Sequence, residues 1–145
     1  MERLIEQAYP SLGLALDLLE RIRGEAETRG LALAVAVVVD AGGNVVATQR
    51  MDGAALGAMS LAIGKAYTSV LWGAPSGGFM QSTQPGGDDW GFNATDNRIV
   101  VYAGGVPLHA EGRLVGGVGA SGGTAEEDEA CVSAAASALG FSVSA

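Results

Sequence analysis

Apolar positions Leu12, Ala15, Leu19, Ile22 and Ala26 recur at steps of three and four, the spacing that lines one face of a helix. Pro10 stands near its first turn and Gly30 stops it, so an amphipathic helix of about five turns is predicted. The period then changes. Leu31 to Val39 is continuously apolar and β-branched toward its end, Asp40-Ala41-Gly42-Gly43 is turn chemistry, and Asn44 to Arg50 resumes in extended character. This predicts a β-hairpin whose first strand is central. Helical spacing returns over Leu56 to Leu71 through Met59, Ala62, Ile63, Ala66 and Val70, and Gly73-Ala74-Pro75 closes it. Gln84 to Asn97 carries no period and reads as a long structureless loop, of the kind that is usually functional. Three strands are predicted at Arg98 to Tyr102, Val106 to Ala110 and Arg113 to Gly119. A last helix opens on the capping box Thr124 and Glu127 and ends near Gly140.

The order is helix, two strands, helix, loop, three strands, helix. Short links inside each strand group favour antiparallel pairing, so the expectation is an α/β (α+β) fold with a five-stranded antiparallel sheet flanked by helices. Nothing splits residues 1–145, which read as a single domain. With 48% hydrophobic but only 6% aromatic residues, the core has to be aliphatic and rich in small side chains. Eight Lys+Arg against 16 Asp+Glu give a net charge of −8, which repels nucleic acid and anionic membrane surfaces as partners. The single cysteine, Cys131, excludes an internal disulfide and a Cys-rich zinc site and suits a small core residue. The N-terminal residues lack an apolar signal region, and Leu31 to Val39 is too short to span a bilayer, so the expected location is cytoplasmic.

Two glycine motifs invite larger claims. Gly117 to Gly122 spells G-x-G-x-x-G, but a dinucleotide site needs a further parallel strand and an acid about 20 residues on, which the sequence does not supply. Gly119 to Gly123 spells G-x-S-x-G, yet no histidine follows Ser121 as the hydrolase order requires. Glycines for a tight strand-to-helix turn explain both. A nest of backbone N–H groups around Ser121 to Thr124 survives as a carboxylate or phosphate site, with Glu126, Glu127, Asp128 and Glu129 competing for it.

Five blocks carry a more specific signal: Val37 to Asn44, Arg50-Met51-Asp52-Gly53-Ala54, Ile63-Gly64-Lys65-Ala66-Tyr67-Thr68, Gly104-Gly105-Val106-Pro107-Leu108 and Val115 to Gly123. In this order they resemble the GlcG/HbpS haem-binding family, which includes the C-terminal domain of PduO. The resemblance implies a profilin-like α-β-α fold and self-association into dimers or larger homo-oligomers. It also implies haem or a corrinoid as ligand in some members.

Arg50, Asp52 and Lys65 stand out in a chain with so few cations. Arg50 and Lys65 suit a carboxylate, such as a haem propionate or a small organic acid, while a Lys65–Asp52 ion pair is the structural alternative. Gly105, Ser121 and Gly122 join them as candidate ligand contacts. His109, the only histidine, is the candidate axial ligand of a metal macrocycle or, more plainly, an exposed hairpin residue. Met51, Met59 and Met80 serve equally as soft ligands or core. In the loop, Trp90 and Phe92 would cover an apolar ligand, and Asp88 and Asp89 would act as base or hard-cation ligand; an oligomer contact is the alternative. The expected function is small-ligand binding of the GlcG/HbpS type, with haem or a related tetrapyrrole as ligand. The rivals are a structural subunit and a cofactor-independent lyase or isomerase, in which Lys65 and Arg50 hold a carboxylate-bearing substrate and Asp88 or Asp89 moves the proton.

Overall fold

A computed structural model of the chain describes residues 3–39 and 43–144. The elements run α1 (Leu12–Thr28), β1 (Ala34–Val39), β2 (Val45–Arg50), α2 (Ala58–Trp72), β3 (Gly105–Ala110), β4 (Arg113–Ser121) and α3 (Ala125–Ala138). Ser11 caps α1, its hydroxyl accepting from the Leu14 N–H at 3.1 Å. The capping box of Thr124 and Glu127 opens α3 as its spacing predicts. The predicted turn at Asp40, Ala41 and Gly42 lies outside the described residues. No helix among the described residues is long and apolar enough to cross a membrane.

The sheet has four strands in the order β2-β1-β4-β3, every neighbouring pair antiparallel, rather than the five expected. β1 is central as predicted. The strand predicted at Arg98 to Tyr102 is absent because its backbone groups are taken by side chains. Val100 N–H donates to the Thr68 hydroxyl at 2.9 Å, and the Ser76 hydroxyl donates to the Tyr102 carbonyl at 2.7 Å. The segment therefore crosses the outer side of α2, where a Cβ on Gly64 would strike Val100. The outer edge of β3 is met instead by the C-terminal tail, through the bridge between His109 and Ser142.

Alternation along the strands sends successive residues to opposite sides. Val35, Val106, Leu108, Val118 and Ala120 join Leu18, Ile22 and Val132 in the large core under α1 and α3. The other side of β3 and β4 is nearly bare. A Cβ on Gly105 or Gly119 would collide with the carbonyl oxygens of Lys65 and Ala62, and one on Gly117 with Val70 and Ser69. These glycines thus let α2 lie directly on the strands, a tighter approach than any side chain permits. Two glycines of the G-x-G-x-x-G string, Gly117 and Gly119, are packing residues inside β4 and not turn residues.

Candidate functional site

Most of the predicted anion-binding residues collect at the Ser121 end of the sheet. Arg50 pairs with Ala34, Ala34 with Ser121, and Gly105 with Gly119. Lys65 reaches this end from α2 and is 3% exposed. Its ammonium donates to Asp128 Oδ2 at 2.9 Å and to the Ala120 carbonyl at 3.1 Å. Asp128, itself 1% exposed, accepts from the Gly123 N–H at 2.9 Å through its other oxygen. The ion pair anticipated for Lys65 therefore exists, but its partner is Asp128 of α3 and not Asp52. The backbone of Gly104 covers it, since a Cβ there would stand 2.8 Å from Lys65 Nζ and 2.9 Å from Asp128 Cβ.

This end is filled by the chain's own groups. In the predicted N–H nest, Asp128 takes Gly123 and the Glu127 carboxylate takes Thr124 at 3.0 Å. The Thr124 backbone bond, foremost, holds the Glu127 carboxyl below its ordinary value. Ser121 is buried, and Gly122, at φ +136°, presses on the Ala32 carbonyl where no side chain fits. Arg50 and Asp52 are exposed at the rim.

The segment predicted as a structureless loop is folded into turns, with a short 3-10 turn at Phe92–Ala94. Phe92 packs edge-on against Trp72 at 4.8 Å and meets Phe79 at 5.6 Å. A second anchor lies at Asp96, whose carboxylate accepts from the Tyr67 hydroxyl at 2.6 Å and from Arg98 Nε and Nη2 at 3.0 and 2.9 Å. Arg98 also stacks 4.2 Å from the Tyr67 ring centre. Hydrogen bonding to Arg98, and then to Tyr67, holds the Asp96 carboxyl far below the usual range, and Asp96 in turn raises the Tyr67 hydroxyl. The two predicted aromatics separate: Phe92 is an anchor, while Trp90 is 65% exposed beside the exposed Asp88 and Asp89. Tyr67, Asp96, Arg98 and Trp72 were not singled out by sequence, and Asp128 was named only as an acid competing for the N–H nest.

His109 stands at the other end of the sheet. Its register partner Leu114 is seven residues from Ser121 along β4, roughly 24 Å at the ~3.4 Å rise of an antiparallel strand. No small organic acid touches both ends. A register shift between Leu108 and His109 re-aims the ring, and the tail holds the backbone through two bonds with Ser142, of 2.9 and 3.0 Å. His109 Nε2 lies against the end of α2, 3.7 Å from where a Cβ on Gly73 would stand. Nδ1 is buried without a hydrogen-bond partner, the one such side-chain atom among the described residues. Nε2 makes no hydrogen bond among the described residues, and His109 as a whole is only partly buried.

Two open grooves lie at this end of the sheet, one of them bordered by His109. One of about 550 Å³ is bordered by His109, Glu111, Leu114 and Ser142. The other, about 890 Å³, runs between the segment 3–8 and the start of β4, and Leu114 belongs to both. Each is of a size that takes a small-molecule ligand. Among the described residues no group of three or more His, Cys, Asp or Glu could hold a bare metal ion. A lone imidazole suits a metal that brings its other ligands with it, as a macrocycle does. Of the sulfur candidates, Met51 packs on the core with its sulfur 3.3 Å from the Leu33 N–H, and Met59 packs against Ala58 and Ala62. Met80 is exposed. Cys131 is buried in the core, and that burial raises its thiol.

Comparison with known proteins places this architecture. The HbpS-like family, described as haem degrading protein HbpS-like, matches residues 11–137, and the chain belongs to it. It is 34% identical over 119 residues to the 15.0 kDa protein of the dhaT-dhaS intergenic region of Citrobacter freundii, covering 79% of this chain and 84% of that one. It is 35% identical over 123 residues to the corrinoid adenosyltransferase PduO of the same organism, covering 82% of this chain but only 37% of PduO. The likeness to PduO thus concerns a little over a third of that protein. The crystal structure of a PduOC:haem complex superposes with a TM-score of 0.89 at 27% identity, covering 95% of this chain and 100% of that one.

Proposed function

We propose that this chain binds haem or a related tetrapyrrole at the His109 end of the sheet, with His109 Nε2 as the axial donor. The observation that carries the reading is the imidazole itself: Nδ1 is buried and unpartnered, Nε2 makes no hydrogen bond among the described residues, and His109 borders a groove. The haem complex of the PduOC structure, a close match in fold, supports the ligand class. When bound, the group would supply a metal, and the His109 imidazole would be the side chain that holds it. A ligating histidine usually donates its second N–H to an acceptor that strengthens it. His109 has none, which suits reversible carriage better than a permanently held prosthetic group.

The reading extends to a carboxylate-bearing macrocycle, haem or corrinoid, on a profilin-like scaffold formed by one domain that self-associates; light scattering reporting at least a dimer would support the last point. The lyase or isomerase alternative draws no support from Lys65, whose ammonium is already engaged by Asp128 and Ala120. Titration with hemin, followed by Soret absorbance, tests the proposal. A saturable shift in the wild type, with loss of the imidazole-ligated spectrum in His109→Ala, is expected. No binding, or an unchanged spectrum in His109→Ala, would overturn it.

A further inference from the structure

Resting on that reading, we infer that Arg113 and Arg3 receive the carboxylates of the macrocycle, in place of the Arg50 and Lys65 that the sequence suggested. Of the eight cationic side chains, Arg23, Arg29, Lys65 and Arg98 are engaged in ion pairs with acids. Among the described residues Arg3, Arg21, Arg50 and Arg113 have none. Two of these four, Arg3 and Arg113, line the same 890 Å³ groove, and that groove meets the His109 groove at Leu114. The hairpin register sets Arg113 next to this junction, because His109 pairs with Leu114 and Ala110 with Arg113. Arg50 belongs to the far end of the sheet, beyond the reach of a ligand held at His109.

The opposite wall of the groove is chemically mixed in a way that fits an amphiphilic dianion. The segment 3–8 is tied to β4 by Gln7, whose side-chain amide donates to the Leu114 carbonyl at 2.9 Å. It presents Leu4 and Ile5 at 86% and 91% exposure, alongside Arg3. Apolar surface of that extent next to two uncommitted guanidinium groups suits a flat apolar ring with acidic arms. Glu6 borders the same groove and Glu111 the other, so the pull is not a broad cationic field. What the arginines offer is a short forked contact to each carboxylate, which discriminates sharply between an acid and its ester.

The test compares hemin with hemin dimethyl ester on the full chain, using wild type, Arg3→Ala, Arg113→Ala, the double variant and His109→Ala. Both arginines are exposed, and thermal melts serve as the folding control. The wild type is expected to prefer hemin over the ester. The double variant should weaken hemin about ten- to a hundredfold, the worth of hydrogen bonds to charged groups, and should lose the preference while keeping the imidazole-type Soret maximum. A double variant that binds hemin like the wild type, with His109→Ala still losing its spectrum, would overturn this inference alone. A wild type that binds neither compound would overturn the tetrapyrrole reading and this inference with it.

Discussion

The two ends of β4 carry similar raw materials and put them to opposite use. At the Ser121 end a cation, an anion and several glycines lie together, and the buried groups there satisfy one another: Lys65 by Asp128 and Ala120, Asp128 also by Gly123, and the space above by Gly104, with Arg50 left exposed at the rim. At the Leu114 end a single imidazole lacks a partner, two arginines lie uncommitted among the described residues, and leucine and isoleucine side chains stand in solvent. Polar residues that are buried and mutually bonded hold a fold together, whereas unsatisfied ones at a groove are left for something else to complete. The charged residues lying among glycines are therefore the structural set. The histidine on a plain hairpin is the functional candidate.

The largest expected effect falls on the Ser121 end. Asp128→Ala strands a buried ammonium and should destabilise the chain by about 3–5 kcal/mol in denaturant unfolding, while Lys65→Met with Asp128→Leu together should recover much of that loss. If Asp128→Ala instead leaves stability intact and weakens hemin binding, the comparison is reversed. Gly119→Ala drives a methyl into the Ala62 carbonyl of α2, and a loss of about 1–3 kcal/mol is expected in thermal melts, as for other overpacked cores. A neutral result would mean that α2 does not lie on the glycine stripe.

Ser11→Ala, which removes the α1 cap, should cost about 1 kcal/mol in the same melts and leave both ends unaffected. Asp96 sharpens the picture through pH. Its folded-state value lies below its unfolded one, so its contribution is present at neutral pH, begins to fade below the ordinary carboxylate value of about 3.9, and is lost as pH falls further. Stability measured from neutral to strongly acidic pH should show a shallower acid decline in Asp96→Asn than in the wild type; identical slopes would remove Asp96 as an anchor.

Much of this architecture is written in local pattern. The three-and-four spacing of α1, the Thr124–Glu127 cap of α3 and the apolar run of β1 are each decided within a few residues, and each formed where predicted. What local pattern hid is long-range bonding. Arg98 to Tyr102 has strand-like composition, but the hydroxyls of Thr68 and Ser76, 32 and 26 residues away from their bonding partners, claim the backbone groups of Val100 and Tyr102. Asp128 reads as one more acid in a helix's first turn, and its partner Lys65 lies 63 residues upstream. The stripe under α2 did leave a trace, because Gly117 and Gly119 recur with a strand's period of two, which signals a close helix rather than a phosphate turn. His109 was visible only as the sole histidine; that its Nδ1 is buried without a partner, with Gly73 beside its ring and Ser142 on its backbone, rests on residues that sequence spacing does not connect to it.

The central claim, that the ligand sits at the Leu114 end and not at the Ser121 end, is tested most directly by mapping paramagnetic broadening of backbone amide signals as ferric hemin is added. The effect falls steeply with distance, and the two ends are separated by roughly 24 Å. Gly73, His109, Gly112, Leu114 and Ser142 are expected to broaden while Arg50, Ser121, Gly122 and Gly123 stay sharp. Broadening centred on Arg50, Ser121 and Gly122, with Leu114 and Gly112 unaffected, would contradict the claim.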